Sequence, residues 1–192
     1  MNGAAGGAAG TLLGRADRAI AAAERVWRLA GSAALAAIML IVATDVLLRY
    51  LLNAPLSWAF DLISLYLMAG LFFLALSDTQ RHHGHVAVDI FQYRLSDRMR
   101  HLCQCLVHAS AAVVFAIIFA LGAGRARDAY LAGDVLEGAI AWPTWIAAAL
   151  VPLGVGLLLL RLLLSAVAHG LAALTGRPTI DLPPLSGSDE AV

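Results

Sequence analysis

The chain has 192 residues, of which 61% are hydrophobic and 14% are charged, and its mean hydropathy is +0.81. This composition excludes an ordinary water-soluble domain and indicates a membrane protein. Thirteen basic residues balance thirteen acidic ones, so the net charge gives no sign of a nucleic-acid or acidic partner.

The N-terminal region is predicted to contain two segments before the first membrane span. Residues 1–10, MNGAAGGAAG, carry no basic residue and are predicted to be a flexible tail rather than a signal peptide. Residues 11–28 are predicted to form an amphipathic helix lying on the inner leaflet, with its arginines toward anionic lipid. A simple extension of the first spanning helix fits this pattern equally well. The apolar face comprises Leu13, Ala16, Ile20, Ala23 and Trp27, and the basic face Arg15, Arg18, Arg25 and Arg28.

Four later segments are long and apolar enough to cross a hydrocarbon core about 30 Å thick, which takes about 20 helical residues. None of them alternates between apolar and polar residues as a barrel strand does, so helices are expected. The predicted fold is therefore an all-α bundle of four transmembrane helices within a domain spanning residues 29–170, followed by a disordered tail at 171–192. The predicted spans are residues 29–48, 56–77, 102–124 and 143–164.

Arginine placement predicts the orientation of these spans. Four arginines precede the first span and four lie between the second and third. The connection after the first span has only Arg49, and the two arginines after the third span are offset by Asp128, Asp134 and Glu137. Because cytoplasmic loops are enriched in basic residues, both termini are predicted to be cytoplasmic.

Three ionisable residues lie near the predicted outer end of the first two spans. Asp45 and Arg49 are four positions apart and can pair on one helix face, while Asp61 opens the second span at the same depth. Two interpretations remain open: a cluster that clamps the first hairpin, or a contact with a partner protein.

The centre of each predicted span carries no ionisable residue. Since ion-coupled transporters place such groups near the midplane, the chain is not expected to transport by itself. Pro152 and Gly154 are interpreted as helix-packing residues. A haem held by two histidines would require His108 and His169 to meet, and counting from the predicted span ends places them at different depths.

The stretch RHHGHVAVD, residues 81–89, raises the possibility of a metal site at His82, His83, His85 and Asp89. Structural zinc sites usually have a second pair of ligands farther along the chain, and none is present. Histidines at the end of a helix also complement its negative dipole. No metal site is therefore predicted.

With these residues identified, residues 45–91 resemble the small membrane subunit, DctQ, of tripartite ATP-independent periplasmic (TRAP) transporters. The resemblance extends over about residues 25–165, including the segments AIAWPTW and VPLGVGLLLLRLL. Asp61 departs from the family pattern, which more often has Glu there, and His82 and His83 are not part of that pattern. The matching positions are Arg49 with Tyr50, Pro55 with Trp58, Asp61, Gly70, His85 with Val88 and Asp89, Pro143, and Pro152 with Gly154.

The resemblance implies a non-enzymatic subunit of the bacterial inner membrane that supports a large elevator-type subunit and the docking of a periplasmic substrate-binding protein. It implies import of small organic acids, commonly carboxylates, with sodium coupling in the large subunit and no cofactor in this chain. Six residues are expected to be structural or to contact partners: Asp45, Arg49, Trp58, Asp61, His85 and Asp89. The expected helix-packing residues are Gly70, Pro143, Pro152 and Gly154.

Two other functions are kept as alternatives. The first is a haem- or quinone-associated membrane anchor of a redox enzyme, which a haem absorbance spectrum would reveal. The second is an autonomous four-helix exporter, which would require a carboxylate within the membrane.

Overall fold

The computed structural model describes residues 3–81, 95–138 and 140–176, with side chains described from Gly14 onward. Helices account for nearly all of these residues, and the one sheet is a short antiparallel pair. In chain order the elements are α1 (Gly3–Leu52), α2 (Ala59–Leu62), a π-helical stretch (Ile63–Leu67), α3 (Met68–Arg81), α4 (Asp97–Ala132), β1 (Val135–Leu136), β2 (Trp142–Pro143) and α5 (Thr144–Thr175).

The prediction of four apolar helices is confirmed for the described part of the chain. The helical runs long and apolar enough to cross a membrane are Gly14–Leu52, Ala59–Arg81, Asp97–Ala132 and Thr144–Thr175. All four runs extend past the predicted spans at one or both ends, although the second begins three residues and the fourth one residue later than predicted. Hydropathy detects only the apolar part of a helix, whereas backbone hydrogen bonding continues the helix into its polar ends.

Helix α1 differs from the prediction because it runs from Gly3 to Leu52 without a break. It includes most of the predicted flexible tail and the whole of the predicted interfacial segment, so the structure corresponds to the alternative of an extended first helix. Alanine, the strongest helix former, is abundant in this region. At 50 residues, α1 is about 75 Å long, more than twice the hydrocarbon thickness of about 30 Å.

Helix α5 is the central element of the described structure. It packs against α4 along most of its length and against α3, which in turn packs against α1. Leu158 and Leu162 of α5 and Ala112 of α4 form the buried core, with Leu76 and Phe115 against it. The first three helical runs therefore keep broad exposed apolar faces, while α5 is the most buried of the spans.

The helices have two chemically different ends. We call the end with the connections at residues 53–58 and 133–143 the loop end, and the opposite end, where α1 begins and α5 finishes, the terminal end. At the loop end, α1 stops at Asn53, whose φ is 51°, and α4 stops at Gly133, whose φ is 67°. Both are left-handed conformations, which Gly and Asn adopt most readily.

Candidate functional site

At the loop end, Asp45 joins helix α1 to the connection that follows it. Its Oδ2 atom accepts a hydrogen bond from Arg49 Nη2 at 2.8 Å, and its Oδ1 atom accepts one from the backbone N–H of Leu56 at 2.7 Å. The i,i+4 spacing places the first pair on one helix face. The second bond holds the connection after α1 against the last turns of that helix, so Asp45 shapes the first hairpin.

Asp61 lies apart from this pair. Among the described residues, no hydrogen bond or ion pair links Asp61 to Asp45 or Arg49. A Cβ at Gly138 would stand 3.0 Å from Asp61 Oδ2, so Asp61 faces the second loop-end connection. Trp58 is half-buried and directly precedes α2. The predicted three-residue cluster thus divides into a pair on α1 and an acid beside residue 138.

Tyr66 anchors the start of α5 to the second helical run. Its hydroxyl donates a hydrogen bond of 2.6 Å to the carbonyl oxygen of Pro143, and its ring lies 5.6 Å from that of Trp142. Tyr66 belongs to the π-helical stretch, a local widening of the helix that often occurs at functional positions. Pro143 is therefore an attachment point as well as the residue that precedes α5.

The expected packing glycines lie where helices approach each other closely. A Cβ at Gly154 would stand 2.6 Å from the carbonyl carbon of Phe73, so α5 and α3 cross with their backbones nearly touching. A Cβ at Gly70 would meet Leu150 at 3.8 Å, an ordinary contact distance. Pro152 faces α4, since its Cδ would lie 3.3 Å from a Cβ at Gly122.

A buried ionic group near the terminal end connects three helices. Arg161 Nε and Nη2 of α5 donate to Glu24 Oε1 and Oε2 of α1 at 2.9 and 2.6 Å, and Arg161 Nη1 donates to Asp17. Ser77 Oγ donates to Glu24 Oε1 at 2.6 Å, and Arg81 Nη1 lies 3.7 Å from Glu24 Oε2. We call these five residues the Glu24 cluster.

The Glu24 cluster is balanced in charge and satisfied in hydrogen bonding. Two carboxylates face two guanidinium groups, and both oxygens of Glu24 accept hydrogen bonds. Glu24 is 1% exposed and Arg161 7%, so an unpaired charge here would be very costly. The bidentate geometry is the one that best offsets this cost.

Sequence reasoning missed the Glu24 cluster, although one signal was available. Arg161 interrupts the run LLLLRLLL within α5, and an ionisable residue in such a run needs a partner. That partner, Glu24, is 137 positions away on a segment interpreted as lipid-facing. A neighbouring surface pair, Arg28 Nη1 and Asp78 Oδ1 at 3.2 Å, adds a second link between α1 and α3.

Three histidines meet between α4, α5 and α3. His101 Nδ1 and His169 Nδ1 are 2.9 Å apart, and the ring of His108 stacks on that of His169 with centroids 5.5 Å apart. His108 also contacts Gln80 Nε2 at 3.3 Å through its Nε2 atom. The prediction that His108 and His169 lie at different depths was wrong, because α5 continues as a helix to Thr175 and carries His169 alongside α4.

The contacts of these histidines differ from those of a bis-histidine haem site. The two Nδ1 atoms of His101 and His169 contact each other directly, so neither points across a gap wide enough for an iron atom. Groups of three or more His, Cys, Asp or Glu side chains suited to a metal do not occur among the described residues. His82, His83, His85 and Asp89 lie outside the described ranges.

The chain was compared with models of known protein families, and residues 38–171 match the model described as the DctQ component of tripartite ATP-independent periplasmic transporters. The chain belongs to the DctQ family. The comparisons with curated proteins and with solved structures gave no match.

Membership of the DctQ family gives this chain its class. It is a multi-pass membrane protein and a non-enzymatic component of a TRAP transporter, which sets aside the alternative of a redox-enzyme anchor. The match includes Arg161, Ser77 and Arg81 of the Glu24 cluster but begins after Asp17 and Glu24. The first 37 residues of this DctQ subunit thus supply half of the charged groups of the cluster from outside the matched region.

Proposed function

We propose that this DctQ subunit is a static scaffold for the large membrane subunit of a TRAP transporter. The transporter would import small organic acids, commonly carboxylates, by using an ion gradient, and substrate and ion would bind to the large subunit. The observation that carries this proposal is the closed Glu24 cluster, whose buried charges are all engaged by one another. A transport site would need groups left open for a passing ion or solute.

A scaffold in an elevator-type transporter has to stay in place while another domain moves through the membrane. Two features of the chain suit that role. The helices of the first three spans expose wide apolar faces to lipid or to a partner. The close approach of α5 to α3 at Gly154, together with the Glu24 cluster, joins three of the spans rigidly.

The loop end is proposed to face the periplasm, with both termini in the cytoplasm of the bacterial cell. The arginine distribution supports this orientation, and so does the exposure of Arg15, Arg18 and Arg25 near the start of α1. Residues at the loop end would then meet the substrate-binding protein when it docks. A docking role for Asp61 is supported by its position beside the second loop-end connection.

The remaining expected sites have different proposed roles. Arg49 and Trp58 would contribute to the docking surface, whereas Asp45 would shape the hairpin that presents them. His85 and Asp89 are proposed to fix the connection after α3 against the large subunit. In that case substitutions at these two positions would weaken assembly rather than docking.

Co-purification of a tagged form of this chain with its large subunit tests the assembly part of the proposal. The docking part is tested by uptake in cells or liposomes containing the assembled complex. We expect Asp61→Asn to lower uptake at limiting concentrations of the binding protein while leaving assembly intact. Arg127→Gln, an exposed arginine on α4, is the control. Unchanged uptake by the Asp61 variant would contradict the docking role, and absence of a large partner would contradict the scaffold role.

A further inference from the structure

The N-terminal half of α1 separates its charged residues by sign. Both of its acids, Asp17 and Glu24, point toward α5, where Arg161 binds them. Arg28, on nearly the same face, pairs with Asp78 of α3. The acids that could neutralise the other arginines of this helix are therefore already engaged by Arg161.

Three arginines remain on the outer side of α1. Arg15, Arg18 and Arg25 are exposed, and none of them has an acidic group within ion-pair distance in the described part of the chain. With 3.6 residues per turn, their positions fall within about 80° of one another. We call these three residues the arginine stripe.

Apolar side chains lie within or next to the arc of the arginine stripe. Val26 and Leu29 are 62% and 70% exposed, and by helical periodicity both lie within about 40° of one of the three arginines. Mixed arginine and aliphatic side chains on one exposed face are typical of helices at the boundary between headgroups and acyl chains. A cytoplasmic nucleic acid or acidic protein would not require the aliphatic residues.

The stripe also begins at the right depth for lipid headgroups. Arg25 follows Glu24, whose carboxylate lies near Arg81 in the polar stretch SDTQR that follows the apolar run of α3. Arg25 is therefore level with the polar end of a membrane-spanning segment, and Arg18 lies about 10 Å further along α1.

We infer that the arginine stripe binds the phosphate groups of anionic phospholipids in the leaflet at the terminal end. On the proposed orientation this is the cytoplasmic leaflet, but the binding itself does not depend on that orientation or on assembly with a transporter. The Glu24 cluster determines which side of α1 carries the stripe, because it fixes the rotation of α1 about its axis, buries Glu24 and pairs the half-exposed Asp17 with Arg161. An anionic bilayer surface attracts each nearby arginine by about 1 kcal/mol.

The test uses the purified full-length chain in detergent and compares binding of short-chain phosphatidylglycerol with that of phosphatidylcholine of the same chain length. The wild-type chain is expected to prefer phosphatidylglycerol, and added salt should weaken the preference. Arg18→Gln with Arg25→Gln should reduce the preference by about thirtyfold, from two lost charges. Arg125→Gln with Arg127→Gln, two exposed arginines near the loop end of α4, is the matched control and should leave it unchanged.

A charge-preserving pair, Arg18→Lys with Arg25→Lys, separates electrostatic binding from a structural effect and should retain most of the preference. The inference is overturned if the wild-type chain shows no preference for phosphatidylglycerol. It is also overturned if the double glutamine variants of the stripe and of the control lose the same amount of preference for phosphatidylglycerol. The same holds if the lysine variant retains as little of that preference as the glutamine variant of the stripe. Failure of co-purification with a large subunit would count against the proposed scaffold function and leave this inference standing.

Discussion

Arg161 of α5 donates two hydrogen bonds to Glu24 of α1, from Nε to Oε1 at 2.9 Å and from Nη2 to Oε2 at 2.6 Å. The side chain of Glu24 is fully buried. A bidentate pair in such a place holds the two helices in one relative position, since a small shift would break both bonds together. The first prediction concerns this pair.

Arg161→Met should destabilise the protein strongly because it leaves Glu24 buried with only Ser77 and a distant Arg81 as partners. Breaking a buried pair from one side costs about 3–5 kcal/mol. The double variant Glu24→Gln with Arg161→Met removes the orphaned charge and should recover more than half of that loss. Thermal unfolding in detergent, followed by circular dichroism, measures both. Arg28→Met, at a half-exposed pair, should cost about 1 kcal/mol or less, and equal losses at both pairs would contradict the prediction.

Gly154→Ala should also destabilise the protein, for a steric reason. The new Cβ would stand 2.6 Å from the carbonyl carbon of Phe73, and backbone atoms of two packed helices cannot easily move apart. We expect a loss of about 1–3 kcal/mol from overpacking. The matched control is Gly124→Ala in α4, where a Cβ would meet nothing within 4 Å. That change should stabilise the helix by about 0.5–1 kcal/mol. In one thermal unfolding assay we therefore expect Gly154→Ala to lower the unfolding temperature and Gly124→Ala to raise it.

Asp45→Ala should loosen the first hairpin. The change removes the acceptor of the Leu56 N–H and that of Arg49 at once, and we expect a loss of about 1–2 kcal/mol. Hydrogen exchange should show faster exchange at residues 53–58 without a change in α3. Arg49→Ala removes only a 65% exposed partner and should leave the exchange of Leu56 nearly unaffected. Faster exchange in the Arg49 variant alone would show that the arginine, and not the carboxylate, orders the connection.

His101→Phe should weaken the contact between α4 and α5. The ring size is kept, but His169 Nδ1 loses the ring nitrogen that lies 2.9 Å away. Losing this hydrogen bond should cost about 0.5–1.5 kcal/mol. His101→Gln provides both a donor and an acceptor and should lose less. The two variants are compared by thermal unfolding at one fixed pH, and equal stability would indicate that the ring contact contributes little.

The sequence was sufficient to predict the features that depend on interactions between nearby residues. Apolar runs predicted the four helices, and the spacing of Asp45 and Arg49 predicted their pairing because residues four apart share a helix face. Gly154 and Pro152 of α5 lie beside Phe73 of α3 and Gly122 of α4, and their role in helix packing stays a prediction. These features depend on short stretches of chain, which composition and periodicity describe well.

The sequence was insufficient to predict contacts between helices that are far apart in the chain. Glu24 and Arg161 pair across 137 positions, and no periodicity within α1 reveals which of its faces turns toward α5. The depth of His169 was misjudged because the predicted fourth span stopped at residue 164, whereas α5 continues to Thr175. Hydropathy marks the membrane-embedded part of a helix and says nothing of how far the helix extends, so contacts formed beyond that part could not be foreseen.

The pairing of Glu24 with Arg161 also has a consequence for biosynthesis. During translation Glu24 leaves the ribosome 137 residues before Arg161, before α1 is complete and long before the last span has been made. Until α5 inserts, the partners left to Glu24 among the described residues are Ser77 and Arg81, so the first helix stays incompletely packed while three spans are already in the membrane. The order of synthesis thus makes arrival of the fourth span the step that completes the fold, and a chain stalled before it would expose an acidic group for membrane quality control to recognise.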